Sequence, residues 1–379
     1  MGLENSPNFA AWEKQRPTSF GGNLTVVDTI LPDMLHLVDT YWYQYAPLDP
    51  FWHRVLALVI AILGFISITG NSMVIYIFIT TKSLRTPSNM LVVNLALSDF
   101  LLMVTMAPVM VFNCYFETWV LGPAFCQVYG MLGSLFGCGS IWTMTFIAMD
   151  RYNVIVNGLS AVPLTKKSVA VHIMAIWGMS LVWTLAPFFG WNRYVPEGNM
   201  TACGTDYLSQ DLSSVSYIIA YTIFVYCMPL CIIIYAYWFI VRAVSNHEKS
   251  MRKQAKKMNV TSLRTADADK QSVEFKLAKI TMITIFLWFV AWTPYAVTNI
   301  SGITGKSQIS PLATIWASVF AKAGAAYNPI VYGISHPKYR QVLHKKIPCL
   351  GSAASAPTTE DSISQVSACT NGSDSKPAA

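Results

Sequence analysis

Apolar residues in this chain run in long uninterrupted blocks. Residues 55–81 contain no Asp, Glu, Lys, Arg or His. At roughly 1.5 Å rise per residue, a helix of that length exceeds the roughly 30 Å hydrocarbon core of a bilayer. Six further blocks follow, at 89–116, 118–149, 168–192, 212–241, 280–305 and 307–335. Only Asp99, His172 and Lys322 place a charged or imidazole side chain inside any of them. The blocks far exceed the roughly ten residues of a barrel strand, and open sheet edges do not survive in lipid. The pattern therefore predicts seven membrane-spanning helices.

Composition agrees. Of 379 residues, 12% are charged and 54% hydrophobic, with mean hydropathy +0.43. About a quarter charged is usual for a soluble domain, so most soluble folds are excluded. Lys and Arg fall mainly on one side of the seven blocks. Nineteen lie in the segments containing Lys82, Arg151, Lys166, 242–279 and 338–346, against five at Lys14, Arg16, Arg54, Arg193 and Lys306. Positive residues mark the cytoplasmic side, so the N-terminus is expected outside the cell. The net charge of +7 then reflects a basic cytoplasmic face, not nucleic-acid binding. No charged-then-apolar signal peptide precedes Phe51, so the first span is expected to act as its own insertion signal.

Under this orientation the acceptor motifs at Asn23 and Asn199 fall outside, where glycosylation occurs. Cys126 and Cys203 also face the oxidising side; a disulfide between them and two unpaired thiols are the open readings. Cys349, just past the last basic cluster, is a palmitoylation candidate. The Ser-, Thr- and Ala-rich stretch after Pro348 is expected to be disordered, with candidate phosphorylation sites.

Charges within the membrane are costly and mark function. Asp99 lies mid-span, within expected reach of Asn71 and Asn328. Asp150-Arg151-Tyr152 ends the third block, with Glu274 as the expected partner of Arg151. Lys322 stands near the middle of the seventh.

Asp150-Arg151-Tyr152, Trp292-Thr293-Pro294-Tyr295 and Asn328-Pro329-Ile330-Val331-Tyr332, together with Asn71, Asp99, Trp177 and Pro229, resemble the signatures of rhodopsin-type G-protein-coupled receptors. Lys322, six residues before the Asn-Pro pair, resembles the retinal-binding lysine of opsins. An amine in an apolar pocket can condense with an aldehyde as a Schiff base. The runs 82–87, 133–138, 192–199 and 335–340, with His247-Glu248-Lys249 and 254–259, look most like arthropod visual opsins of the long-wavelength group. Departures are Asn157, Lys253 and Ala291, where relatives often carry Lys, Glu and, in the wider class, Cys.

The resemblance implies an all-α membrane protein. It comprises an outer tail over 1–54, a seven-helix bundle over 55–335, an amphipathic membrane-surface helix over 336–347 and a cytoplasmic tail over 348–379. It implies a visual photoreceptor, not an enzyme. The cofactor would be 11-cis-retinal, or a hydroxylated variant, on Lys322; light would isomerise it and open the bundle toward a Gq-type G protein. Arrestin and a receptor kinase would be further partners, and photoreceptor microvilli the location. Tyr129, Gly133, Gly137, Tyr221, Tyr226, Trp288, Trp292, Tyr295 and Ser318 would form the pocket, with Gly133 and Gly137 leaving room for the polyene. Asn71, Asp99, Asp150, Arg151, Glu274, Asn328, Pro329 and Tyr332 would form the activation switch. The basic face from His247, Glu248 and Lys249 to Lys256 and Lys257 would engage the G protein or anionic lipid.

Where vertebrate visual pigments place a counterion Glu, three residues after Cys126, this chain has Tyr129. The remaining carboxylate on the outer side of the retinal is Glu197, six residues before Cys203, expected to act through water and hydroxyls such as Ser318 or Tyr129; a loop Glu in water is the other reading. A receptor for a diffusible amine would want a carboxylate on the third helix, and a retinal-driven proton pump a chain of intramembrane acids. Neither is present. A non-visual opsin or a retinal photoisomerase would share the pocket.

Overall fold

The computed structural model describes residues 24–257, 266–305 and 308–346. The seven blocks are seven helices: α1 (Pro50–Thr80), α2 (Pro87–Tyr115), α3 (Gly122–Val156), α4 (Lys166–Leu185), α5, α6 (Ala266–Ile303) and α7 (Pro311–Ser335). The α5 span consists of Leu212–Thr222, a π-helical turn Ile223–Cys227 and Met228–Lys257. A short helix α8 (Pro337–Lys346) follows, and β1 (Tyr194–Pro196) pairs antiparallel with β2 (Cys203–Thr205) between α4 and α5.

Local chemistry sets several helix starts. Asp49, Thr86 and Ser310 each accept a backbone N–H of the first turn, and each is followed by Pro at the first helical position. A side-chain acceptor there satisfies an orphan donor, while Pro lacks only an N–H that would have had no helical partner. Among the described residues, six of the helices are long and apolar enough to cross a membrane. The 25 residues of α7 are enough to span, and its lower apolarity follows from Ser318, Lys322 and Asn328, all buried inside the bundle. Of α3, 72% of the apolar stretch is buried, against 28% for α1 and 22% for α4; α3 is the bundle's axis.

Several boundaries differ from expectation. Both α5 and α6 run well past the apolar blocks, because their polar extensions continue the helix in water. Of the stretch expected as an outer tail, the described residues 24–49 are folded. Its short 3-10 turns Val26–Thr29, Pro32–Leu37 and Thr40–Gln44 bury Val27, Met34 and Trp42 in one cluster with Met200 and Ala202. The Tyr41 hydroxyl donates to the Ile309 carbonyl at 3.1 Å and accepts its N–H at 2.6 Å, fastening these turns to the start of α7. Cys126 and Cys203 form a disulfide with Cα atoms 5.5 Å apart, which ties β2 to α3 at the same pole. At the opposite pole α8 buries Tyr339 and Leu343, stacks Tyr339 on Phe78 at 5.8 Å and places Lys346 over the Tyr76 ring at 4.3 Å.

Candidate functional site

Helical spacing brings one set of side chains together. On α3, Tyr129, Gly133 and Gly137 recur every fourth residue; on α6, Trp288, Trp292 and Tyr295 follow at four and three; on α7, Ser318 and Lys322 are one turn apart. Such residues share a helix face. With Tyr221 and Tyr226 of α5 and Glu197 from the hairpin turn, all of them line one cavity. Its empty space, open mouth included, is about 930 Å³. Its walls are mainly apolar and aromatic, with Trp288 stacked on Trp292 at 5.2 Å and Tyr295 edge-on to Trp292 at 6.3 Å. Sequence reading missed Leu102 and Met106 of α2 and Thr205 and Asn299 near the hairpin. Nothing in their spacing distinguishes them from ordinary packing residues.

The two glycines of α3 do something other than leave an open slot. A Cβ on Gly137 would stand 2.6 Å from Cη2 of Trp292, so the missing side chain is the berth of that indole. A Cβ on Gly133 would meet Met106 Sδ at 3.2 Å. Both positions tighten the wall.

Lys322 is 9% exposed. Its Nζ donates to Ser318 Oγ at 2.6 Å and forms no direct ion pair among the described residues. Glu197 is 2% exposed and lies beyond Ser318. Burial pushes its carboxyl above the usual carboxylate range, while the Lys322 ammonium and the Tyr295 and Ser318 hydroxyls pull the other way. Its Oε1 completes no hydrogen bond. A buried oxygen left in that condition is costly, and a positive charge on Lys322 Nζ is the compensation the site offers.

Asp99 lies below this cavity. Its Oδ2 accepts from Asn328 Nδ2 at 2.6 Å and its Oδ1 from Ser140 Oγ at 3.0 Å; Ser140 carried no sequence signal. Asn71 makes no bond to Asp99, contrary to expectation. Its amide donates to the Ser67 and Ala325 carbonyls at 2.9 and 3.0 Å, which ties α1 to α7. Trp177 donates to Asn94 at 2.9 Å. Pro329 lies against Gly70, where a Cβ would stand 2.7 Å from its Cγ, and Tyr332 packs among Val74, Ala96 and Ile280.

At the α8 pole, Arg151 Nη1 meets Glu274 Oε2 at 2.5 Å, and Nη2 pairs with the adjacent Asp150 carboxylate. One guanidinium thus bridges α3 to α6. His247 packs against Phe275 at 6.1 Å and Lys249 is exposed. The side chains of Glu248, Lys256 and Lys257, as well as Asn23 and Cys349, lie outside the described residues.

Asn199 is corrected. The residue is 0% exposed, its Oδ1 accepts from Thr201 Oγ1 at 2.9 Å, and its Nδ2 is enclosed. A glycan must leave through that nitrogen, and the folded hairpin gives it no path.

The pattern of the seven-transmembrane receptors (rhodopsin family) matches residues 70–332. The chain is 62% identical to a rhodopsin of Sphodromantis over 378 residues, 100% of both chains. It is 62% identical to a long-wavelength rhodopsin of Apis mellifera over 98% of both. The crystal structure of squid rhodopsin superimposes with a TM-score of 0.80 at 35% identity, covering 88% of this chain and 95% of that one. With a buried lysine in an aromatic cavity of a seven-helix bundle, the chain belongs to the rhodopsin family of seven-transmembrane receptors, among the arthropod rhodopsins.

Proposed function

We propose that the protein is a visual photoreceptor that holds retinal on Lys322 and passes the light signal to a heterotrimeric G protein. The observation that carries this reading is the Lys322 amine, buried at one end of an aromatic cavity with a hydroxyl, not a carboxylate, as its hydrogen-bond acceptor. The residues fit an elongated apolar aldehyde: a nucleophile at one end, indole and phenol walls along the length. When bound, retinal supplies the carbonyl that condenses with the amine and a polyene that absorbs visible light and changes shape.

The protein's part is positional. Lys322 Nζ keeps a proton whose charge Glu197 balances through Ser318. Trp292, backed by Trp288 and seated on Gly137, is the side chain a changed chromophore shape would push. That indole lies two residues before Pro294, where α6 lacks a backbone hydrogen bond and bends most easily. Outward movement of α6 would break the Arg151–Glu274 pair and open the α8 pole. The finer assignments are an 11-cis isomer or a hydroxylated variant of it, a Gq-type partner meeting the 247–257 face, later engagement of arrestin and a receptor kinase, an external N-terminus, and a microvillar membrane. They rest on the nineteen-to-five Lys and Arg asymmetry and on the likeness to the insect rhodopsins.

Adding 11-cis-retinal to the purified protein is expected to produce a visible absorption band, and illumination to drive nucleotide exchange on a Gq-type G protein. A band with light-driven isomerisation but no exchange on any G-protein class would make it a photoisomerase. No band would end the photoreceptor reading.

The Arg151–Glu274 pair also predicts a dark-state effect. Glu274→Gln removes a charge-assisted bond worth about 1–2 kcal/mol in a partly exposed setting. Dark nucleotide exchange is therefore expected to rise roughly five- to thirtyfold. Unchanged dark exchange with normal expression and a normal light response would remove the pair from the switch.

A further inference from the structure

We propose that Gly204 is the positioning residue for the Glu197 carboxylate, and that the absence of its side chain is what lets that carboxylate face Ser318 and Lys322. The proposal rests on the reading of Glu197 as counterion given above.

The hairpin register places Gly204 opposite Val195, with Cys203 opposite Pro196. Glu197 follows directly, its N–H held by the Ala202 carbonyl at 2.8 Å, so its side chain folds back over the neighbouring strand at Gly204. A Cβ built there would stand 2.6 Å from Tyr295 Oη and 2.9 Å from Glu197 Cδ, and would overlap Oε1. Contacts that short do not occur, so something must move.

The backbone has nowhere to retreat. Cys203, next in the chain, is bonded to Cys126 of α3. On the other side, Gly198 is pressed on the first turn of α7, where its own Cβ would lie 2.8 Å from Pro311 Cα and would overlap Thr314 Oγ1. Tyr295 is held in the α6 wall against Trp292. The movable group is the Glu197 side chain. It would be driven out of the space bounded by Gly204, Tyr295 and Ser318, away from the charge it balances.

Gly204 is not needed for its backbone. Its φ lies outside the left-handed region, so alanine is tolerated conformationally, and the substitution tests one methyl group. The groups facing Glu197 are Lys322 from α7, Tyr295 from α6, Tyr129 from α3 and Tyr207 just past β2. Only Lys322 carries a positive charge among them.

The test is the pH titration of the visible band in pigment reconstituted with 11-cis-retinal. Gly204→Ala is expected to lower the pKa of the Nζ proton by at least one unit, a tenfold weaker hold on the proton. In the Glu197→Gln background the same change is expected to add nothing, since contacts acting through one group are not additive. Gly204→Ala with an unchanged titration overturns the proposal. So does an equal shift in both backgrounds, which would mean that the methyl acts through Tyr295 or general packing. If Glu197→Gln alone leaves the band unaltered, the counterion reading has failed instead. Should Gly204→Ala give no folded pigment, Gly204→Ala/Glu197→Ala decides. Relief of the overlap restores the behaviour of Glu197→Ala alone, and continued misfolding overturns the proposal.

Discussion

Lys322→Ala is expected to leave a protein that reaches the membrane and shows no visible band at any pH after incubation with 11-cis-retinal. The effect is complete because no other amine enters the cavity: among its lining residues Lys322 is the one with an amino group. Folding should survive. The side chain's hydrogen bonds are confined to Ser318, one turn earlier on the same helix, so its removal breaks no hydrogen bond between helices. Truncation also relieves the cost of a polar group in an apolar site while opening a small void; the two effects oppose each other within a few kcal/mol. Thermal unfolding of the apoprotein should therefore change little at pH below the raised Glu197 pKa, where that carboxyl is neutral, and should come earlier above it, where the buried carboxylate has lost its opposing charge. A retained band that survives acid denaturation as a protein-bound adduct would show that the attachment is elsewhere.

Glu197→Gln is expected to shift absorption of the pigment into the ultraviolet near neutral pH. A proton on Nζ inside a low-dielectric bundle is held only if an anion opposes its charge. On the proposed reading Glu197 acts across Ser318 without a direct ion pair, and an opposite charge within about 4–6 Å supports a cation by about one to three pKa units. Glutamine keeps the shape and removes the charge, so the Nζ pKa falls by that amount and the pigment loses its proton at lower pH. The apoprotein carries a second signature. Burial raises the Glu197 carboxyl, so its neutral form favours the folded state. That contribution is fully present below the ordinary carboxylate pKa and is lost as pH rises through the raised value. Glu197→Gln should flatten this part of the stability–pH curve. A mutant pigment whose visible band persists well above neutral pH in chloride-free buffer would show that Glu197 is not the counterion.

The cavity was largely legible in the sequence, and for a local reason. Trp288, Trp292 and Tyr295, or Ser318 and Lys322, share a helix face by spacing alone, so fixing the helices fixes which side chains travel together. What each does was less legible. Gly137 reads as room for a ligand, yet the room is taken by Trp292, because the approach of α3 to α6 depends on every side chain between them. Asn199 reads as an open acceptor in a loop, yet the hairpin folds over it. Residues 24–49 lack a long apolar block, and their folding into turns depends on a surface that exists only once β1, β2 and α7 are in place.

The hydropathy blocks and the polar-then-Pro helix starts determined the seven-helix architecture without help from tertiary structure, and the lone mid-span lysine marked the proposed attachment site. A bilayer allows this. Each span must satisfy its own backbone hydrogen bonds, so composition over some twenty to thirty residues decides the element. The motifs already suggested Asn328 for Asp99 and Glu274 for Arg151, and the structure makes both bonds. Tertiary structure alone decided other meetings: Ser140 on Asp99, Asn71 on the Ser67 and Ala325 carbonyls, and Glu197 against Gly204 and Tyr295. These meetings depend on crossing angles and on the thickness of side chains packed between helices, which have no one-dimensional signature. Beside Glu197, a methyl group on Gly204 would meet both the carboxyl and the Tyr295 hydroxyl, a closeness no spacing along the chain announces.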